Sequence, residues 1–478
     1  MIPMASVQVE SAETTATETD AIKIIDPTKL SWPRKVHIII AGFACTFNCN
    51  LGSSIPSGAL SAISSHFLVT SRVQLTLLNS LYMVGYVLGP LLFGPLSEYI
   101  GRRPVLVGTF LGYLLFTLLC PASPTYPVLL LFRLLGGICA AAPTAVIAGL
   151  YADILDDPSQ RGTAMAVYMS VTSVGPCVAP IVAGFASAWG GWRWPFWAAA
   201  MIAAPGVPVV LALPETFAPV LNREAVRAKV DAKAKKQQGG VVEVAEVEDP
   251  FDARRVFLRP LTLMVTEPIL LFTSLYLALI YAIAYLMYQA YPILAPGYAS
   301  LAYLPMIVGI LISLPLFYIF NRWYDTSAKD GKAWAQREIY RRLPLACLAS
   351  PCMVIALFWL GWTVTDGSSP ILPSLSGLFF YTGYQLVFMA MGNYLTDVFR
   401  QHSASAQAAA GMTRSVGAIL LPLAAGPMYA RLGIHWAPSL LGFLTLLMGV
   451  IPFVFIKYGA ALQRKSKAAN AVFMSGFE

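Results

Sequence analysis

The sequence predicts an all-α membrane protein with twelve transmembrane helices in two six-helix bundles. Composition, the spacing of apolar runs and the placement of cations carry that expectation. Of 478 residues, 57% are hydrophobic and 12% charged, with mean hydropathy +0.66, whereas soluble domains are about 25% charged. Apolar runs of roughly 20 residues, long enough to cross a bilayer, begin near Val36, Val73, Val105, Tyr126, Thr163, Trp194, Leu261, Leu301, Leu343, Ile371, Ala406 and Trp436. If the first run leaves the cytosol, only Arg72, Arg193 and Arg431 of the 32 Lys and Arg fall in outer loops. Arg133 lies inside a run and the remaining 28 face the cytosol. Cations resist translocation, so this bias places both termini in the cytosol.

Residues 1–34 read as a disordered cytosolic tail, rich in Thr, Ala, Glu and Asp and without the apolar core of a secretory signal. Residues 35–214 hold the first six runs. The first, IIIAGFACTFNCNLGSSIPSGAL, has no carboxylate, only Asn48, Asn50, Ser53, Ser54 and Ser57. Between the second and third runs stands GPLSEYIGRRPVL. Gly94 and Pro95 end a helix there, Glu98 sits at the rim, and Gly101 allows a tight turn presenting Arg102 and Arg103. On charge alone, this loop is equally a topogenic stop held by two arginines. The fourth run, LLLFRLLGGICAAAPTA, places Arg133 roughly 10 Å from its outer end. A cation there faces a cavity or a partner, unless it snorkels to the surface. The fifth run, SVGPCVAPIVAGF, puts Gly175, Pro176 and Pro180 inside a helix, where they permit close approach and a bend.

Residues 215–260 form a cytosolic linker, basic before Gly239–Gly240 and acidic after it. Residues 261–458 hold the second six runs. The seventh carries Tyr281, Tyr285 and Tyr288 on one face with Gln289 adjacent; the tenth carries Tyr381, Tyr384 and Gln385, with Asn393 further on. Tyrosines at helical spacing also serve packing or the membrane interface. Both sets fall mid-run within one bundle. Residues 459–478 close the chain as a second cytosolic tail.

Net charge +8 reports orientation here, so no nucleic-acid partner is expected. Seven cysteines scattered through the apolar runs have neither zinc spacing nor a disulfide framework, and no metal or cofactor is expected. The chain lacks the G-x-x-x-x-G-K-[ST] loop of ATP-driven machines. No run clusters the groups that intramembrane catalysis needs, so no enzyme is expected.

The spacing G-x-x-x-E-x-x-G-R-R-P-x-L resembles the loop signature of the major facilitator superfamily. The resemblance implies a conformational latch. Glu98 caps or pairs at the start of the eleventh helix, and Arg102 or Arg103 reaches Asp153 at the end of the fourth, in pairs that break when the two halves rock. The runs around Arg133 and Gly175 resemble the antiporter motifs of that superfamily. LPETFAPVLNREAVRAK, RPLTLMVTEPILLFTSLYLALIYAIAYLMYQAYPI, NYLTDVF, ARLGIHWAPSLLGF and KYGA are similar to blocks of the fungal twelve-span drug:proton antiporter family.

The resemblance implies the major facilitator fold, with the first, fourth, seventh and tenth helices around a midplane cavity. Asn50, Arg133 and the tyrosine and amide sets then line it. Family members often carry a glutamate where Gln289 stands, and a neutral amide holds no proton. Glu267 and Asp397, near cytosolic helix ends, remain as candidates for proton coupling, with a solvated rim as the alternative. The expected function is a monomeric secondary active exporter of a secondary metabolite, toxic compound or drug, by proton antiport with alternating access. The plasma membrane is the expected location, the vacuolar membrane the alternative. Arg133 as a fixed charge also points to export of a small organic (di)carboxylic acid. A transporter-like membrane sensor is the third reading.

Overall fold

The computed structural model describes residues 26–222, 261–294, 301–335, 337, 339–364, 369, 371–399 and 403–465, without the side chains at 158–159, 289–294, 403–404, 460–461 and 463–465. Most of the N-terminal tail, linker residues 223–260, the end of the C-terminal tail and the Gln289 side chain therefore lie outside the described residues.

The described chain is helical: α1 (Trp32–Ser54), α2 (Leu60–Phe67), α3 (Arg72–Ile100), α4 (Arg102–Leu119), α5 (Tyr126–Ala140), α6 (Ala142–Ile154), α7 (Pro158–Gly190), α8 (Trp194–Ala203) and α9 (Gly206–Leu211), then α10 (Pro268–Leu294), α11 (Leu304–Lys329), α12 (Ile339–Thr363), α13 (Ile371–Val398), α14 (Ser403–Met448) and α15 (Val450–Lys465). Ahead of α1, Asp26 caps a short turn by accepting from the Thr28 hydroxyl at 2.6 Å and the Thr28 amide at 3.0 Å. Those bonds, the hydroxyl first, hold its carboxyl below the ordinary range.

Nine helical stretches among the described residues are long and apolar enough to cross a membrane. One of them, Ser405–Gly459, is 55 residues long, and Gly433 at φ 75° and ψ 179° breaks it into two. The sixth and tenth expected crossings fall on α8 with α9 and on α13. The first is short and interrupted. The second is 28 residues long but carries Ser374, Ser376, Tyr381, Tyr384, Gln385 and Asn393, all buried inside the protein. Its polarity reflects an inward-facing position, which a hydropathy scale cannot distinguish from a water-facing one.

Helices before residue 222 pack mainly on one another, as do those after 261, and the two sets meet along α3 with α14 and along α7 with α11. The helices differ in how deeply they sit. In the most apolar stretches of α1 and α10, 72% of residues are buried, against 33% in α11. Large apolar side chains such as Leu131, Ile319 and Leu447 lie on the outside, at 50%, 62% and 64% exposure, where only lipid makes them stable. The chain is a multi-pass membrane protein. Its terminal face carries the start of α1, the α3–α4 and α11–α12 turns and the end of α13; the far face lies opposite.

Candidate functional site

The seam between α1 and α7 follows from proline chemistry. Pro180 has no N–H, so the Pro176 carbonyl one turn back loses its helical donor. The Ser54 hydroxyl supplies one across the seam at 2.6 Å. Gly175 permits this approach, since a Cβ there would stand 2.8 Å from the Phe47 carbonyl oxygen. Gly175, Pro176 and Pro180 thus join two helices of one half. Beside them Asn50 donates to the Thr46 carbonyl at 2.9 Å, and its amide oxygen is buried without a partner.

Arg133 is 4% exposed, and its guanidinium turns inward rather than snorkelling. It donates to the carbonyls of Leu78 at 2.9 Å, Gly52 at 2.7 Å and Ser53 at 3.0 Å, with the Tyr82 ring 4.3 Å away. Pro56 explains the middle bond, because it cannot supply the amide that Gly52 would otherwise receive. The adjoining cavity is about 10 Å³, room for about one water. In this arrangement Arg133, expected to be the charge offered to a substrate, spends its donors on backbone carbonyls. Its charge is committed to the end of α1.

The tyrosine sets of α10 and α13 come together. Ring centroids run from Tyr281 to Tyr285 at 4.9 Å, to Tyr288 at 5.4 Å, to Tyr381 at 6.4 Å, to Tyr384 at 5.5 Å and to Phe388 at 5.8 Å. Arg414 of α14 closes the loop, its guanidinium 4.7 Å from the Phe388 ring and 5.9 Å from Tyr281. Arg414 was expected in the cytosol; eleven residues into a helix that begins at Ser403, it lies instead roughly 17 Å along the axis. Its signal in the sequence was that lone charge well inside an apolar run.

Three neutral contacts tie this loop to the other half. Ser53 gives its proton to the Asn50 carbonyl at 2.6 Å, so Tyr285 donates to the Ser53 oxygen, at 2.8 Å. Cys177 donates to the Ser173 carbonyl, so Tyr288 donates to the Cys177 sulfur, at 3.3 Å. The Gln385 amide donates to the Ser170 hydroxyl at 3.3 Å, while its oxygen is buried without a partner. Asn393 donates back to the Met389 carbonyl of its own helix at 2.8 Å.

At the terminal face Arg102 reaches Asp153 at 3.3 Å and Ser97 at 2.7 Å. Glu98 is exposed, as is the Arg103 side chain, and the side chains that open α14 lie outside the described ones. Glu215, absent from the sequence-based expectation, organises this corner. Its carboxylate accepts from the amides of Arg102 and Arg103 at 3.0 and 3.1 Å, and from those of Thr216 and Phe217 at 2.9 Å each. It therefore caps the start of α4, where a carboxylate meets the positive end of the helix dipole. Gly101, at φ 106°, leaves no room for a Cβ beside that carboxylate.

The second half repeats the pair, with Arg342 on Asp397 at 3.1 Å. Arg102 and Asp153 belong to α4 and α6, Arg342 and Asp397 to α12 and α13. Each pair joins neighbours within one half, so rocking of one half against the other does not break it. The expected pairing of Arg102 with Asp153 is thus present, and within its own half it acts as a brace. Asp397, a candidate for proton coupling, is engaged in the second brace. Glu267 is buried where α10 begins. Among the described residues no cluster of His, Cys, Asp and Glu could hold a metal ion.

The model of the Major Facilitator Superfamily matches residues 42–415. The efflux pump FUB11 of Gibberella moniliformis is 31% identical over 460 residues, covering 92% of this chain and 76% of that protein. The MFS-type transporter traF of Penicillium crustosum is 32% identical over 455 residues, covering 92% and 91%. The citrinin biosynthesis cluster MFS transporter mrr1 of Monascus ruber is 34% identical over 429 residues, covering 87% and 84%. Among solved structures the proton:xylose symporter XylE, bound to 6-bromo-6-deoxy-D-glucose, superposes with TM-score 0.60 at 15% identity, over 89% of this chain and 96% of its own. That likeness speaks for the fold alone. Buried helices meeting across a polar seam, and chain-long similarity to membrane carriers, have one reading: the protein belongs to the Major Facilitator Superfamily and is a transporter rather than an enzyme.

Proposed function

We propose that the protein exports a small organic molecule of the secondary-metabolite class by alternating access, with its terminal face in the cytosol. Similarity along about nine-tenths of the chain to proteins named as efflux pumps and biosynthesis-cluster transporters carries the reading. The neutral contacts of Ser53, Cys177 and Ser170 with α10 and α13 agree with it. Each net exchange of such a bond for one to water is worth only about 1 kcal/mol, so the halves can part without breaking a buried ion pair. The cation bias of the loops supports the orientation.

Proton exchange is the drive we assign, and Glu267 is the acid that fits it. It is buried at the start of α10, the helix carrying three of the central tyrosines. Glu267→Gln then abolishes efflux driven by a pH gradient but leaves substrate counterflow intact. Loss of both, in protein that folds normally, removes Glu267 from the coupling role. The export reading is tested in the native host with and without the gene, by mass spectrometry of medium and cell extract. A product that leaves the medium and accumulates in cells supports export; identical profiles, with exogenous toxins equally well tolerated, overturn it.

A further inference from the structure

Arg414 is a second cation set well inside a helix of the bundle, half-buried where Arg133 is buried, and its circumstances are the reverse of those of Arg133. Among the described residues it makes no ion pair and no hydrogen bond. Its contacts are the faces of Phe388 and Tyr281, and its charge also reaches the hydroxyls of Tyr384 and, across the seam, Tyr168 of α7. It is half-buried and lies roughly 17 Å along α14 from Ser403, well inside the helix rather than at its end. Its ring partners Tyr281 and Phe388 are both buried, so the guanidinium faces the interior of the bundle rather than lipid.

An aromatic face repays a cation about 0.5–2 kcal/mol, whereas withdrawing a charge from water costs several kcal/mol. Among the described residues no acid supplies the balance. Glu98, Asp153, Asp325 and Asp397, the acids within the described helices, all stand at the terminal-face ends, and Glu267 precedes α10. With no acid beside it among the described residues, the guanidinium is free to take a counter-charge that arrives with the cargo.

We propose that Arg414 and the aromatic loop around it form the recognition site for an organic anion with an aromatic body. Its carboxylate meets the planar guanidinium fork, which suits two-point binding, and its body stacks against Tyr281, Tyr384 and Phe388. The inference rests on the export reading and narrows it to aryl carboxylates.

The test uses purified full-length protein and three isosteric probes: 4-butylbenzoate, 4-butylbenzamide and 4-butylbenzylamine. Equilibrium binding and efflux from proteoliposomes are measured for wild type, Arg414→Gln and Arg414→Lys. The expected result is that wild type prefers the benzoate, and that Arg414→Gln weakens it at least ten-fold while the benzamide changes less than two-fold. Arg414→Lys, a cation without the fork, falls between. Equal benzoate binding by wild type and Arg414→Gln overturns the site, as does an equal loss for benzamide, which would mark Arg414 as structural. Should Arg414→Gln fail to fold, the wild-type ranking decides, and a preference for the amine or no binding of the benzoate overturns the proposal. Benzoate binding that depends on Arg414, with no metabolite trapped by gene deletion, sinks export and keeps the site. A neutral or basic metabolite trapped by deletion, with no benzoate binding, does the reverse.

Discussion

Arg133 and Arg414 are the same residue type, each inside the bundle, with opposite surroundings. Arg133 hands protons to three carbonyls, two of them at the end of α1. Arg133→Gln should therefore cost the fold about 2 kcal/mol or more, seen as a lower melting temperature in detergent, while substrate affinity in the surviving protein stays unchanged. Unaltered stability with altered affinity would return it to the substrate path. The sequence marked Arg133 as special but could not name its role. Its partners are backbone carbonyls, that of Gly52 freed by Pro56 and all three brought near by the close approach of three helices, and backbone carbonyls leave no trace in a residue pattern. Arg414 was missed for a different reason. Counting cations by loop assigned it to the cytosol, and its aromatic neighbours come from three separate helices.

For the elements, the spacing of apolar runs made most helices legible, and the break at Gly433 matches the separate runs expected at Ala406 and Trp436. The sequence did not reveal how the α3–α4 corner is held. Glu215 lies 113 positions from Arg102 and caps α4 because the end of the sixth run returns to the same face. Glu215→Ala should remove about 1 kcal/mol of helix capping. Hydrogen exchange at the Arg102 and Arg103 amides should speed up several-fold, with exchange elsewhere in α4 unchanged; unchanged exchange at those two amides would deny the cap. The braces make a second prediction. Asp153→Asn and Asp397→Asn should each lower the melting temperature and add independently, because they sit in different halves. Strong non-additivity would mean that the two corners touch.

Across the whole molecule, the halves are closed against each other through Ser53, Cys177 and Ser170 on one side and Tyr285, Tyr288 and Gln385 on the other. Cys177 is fully buried at that contact, which makes it a native reporter. With the other six cysteines replaced, an impermeant maleimide should leave Cys177 unlabelled while this conformation holds. Labelling should rise when Tyr285→Phe and Tyr288→Phe remove the donors; equal labelling in both proteins would show that the closure lies elsewhere. The closure also bears on the medium into which cargo is released. Serine and tyrosine hydroxyls, a thiol and an amide keep the same charge from about pH 4 to pH 7. The seam is thus indifferent to external acidity, and the outward opening rate should stay flat across that range. A cell that sours its surroundings would neither jam this door nor force it, and acid could influence transport only where a carboxyl group deeper in the chain takes up the proton.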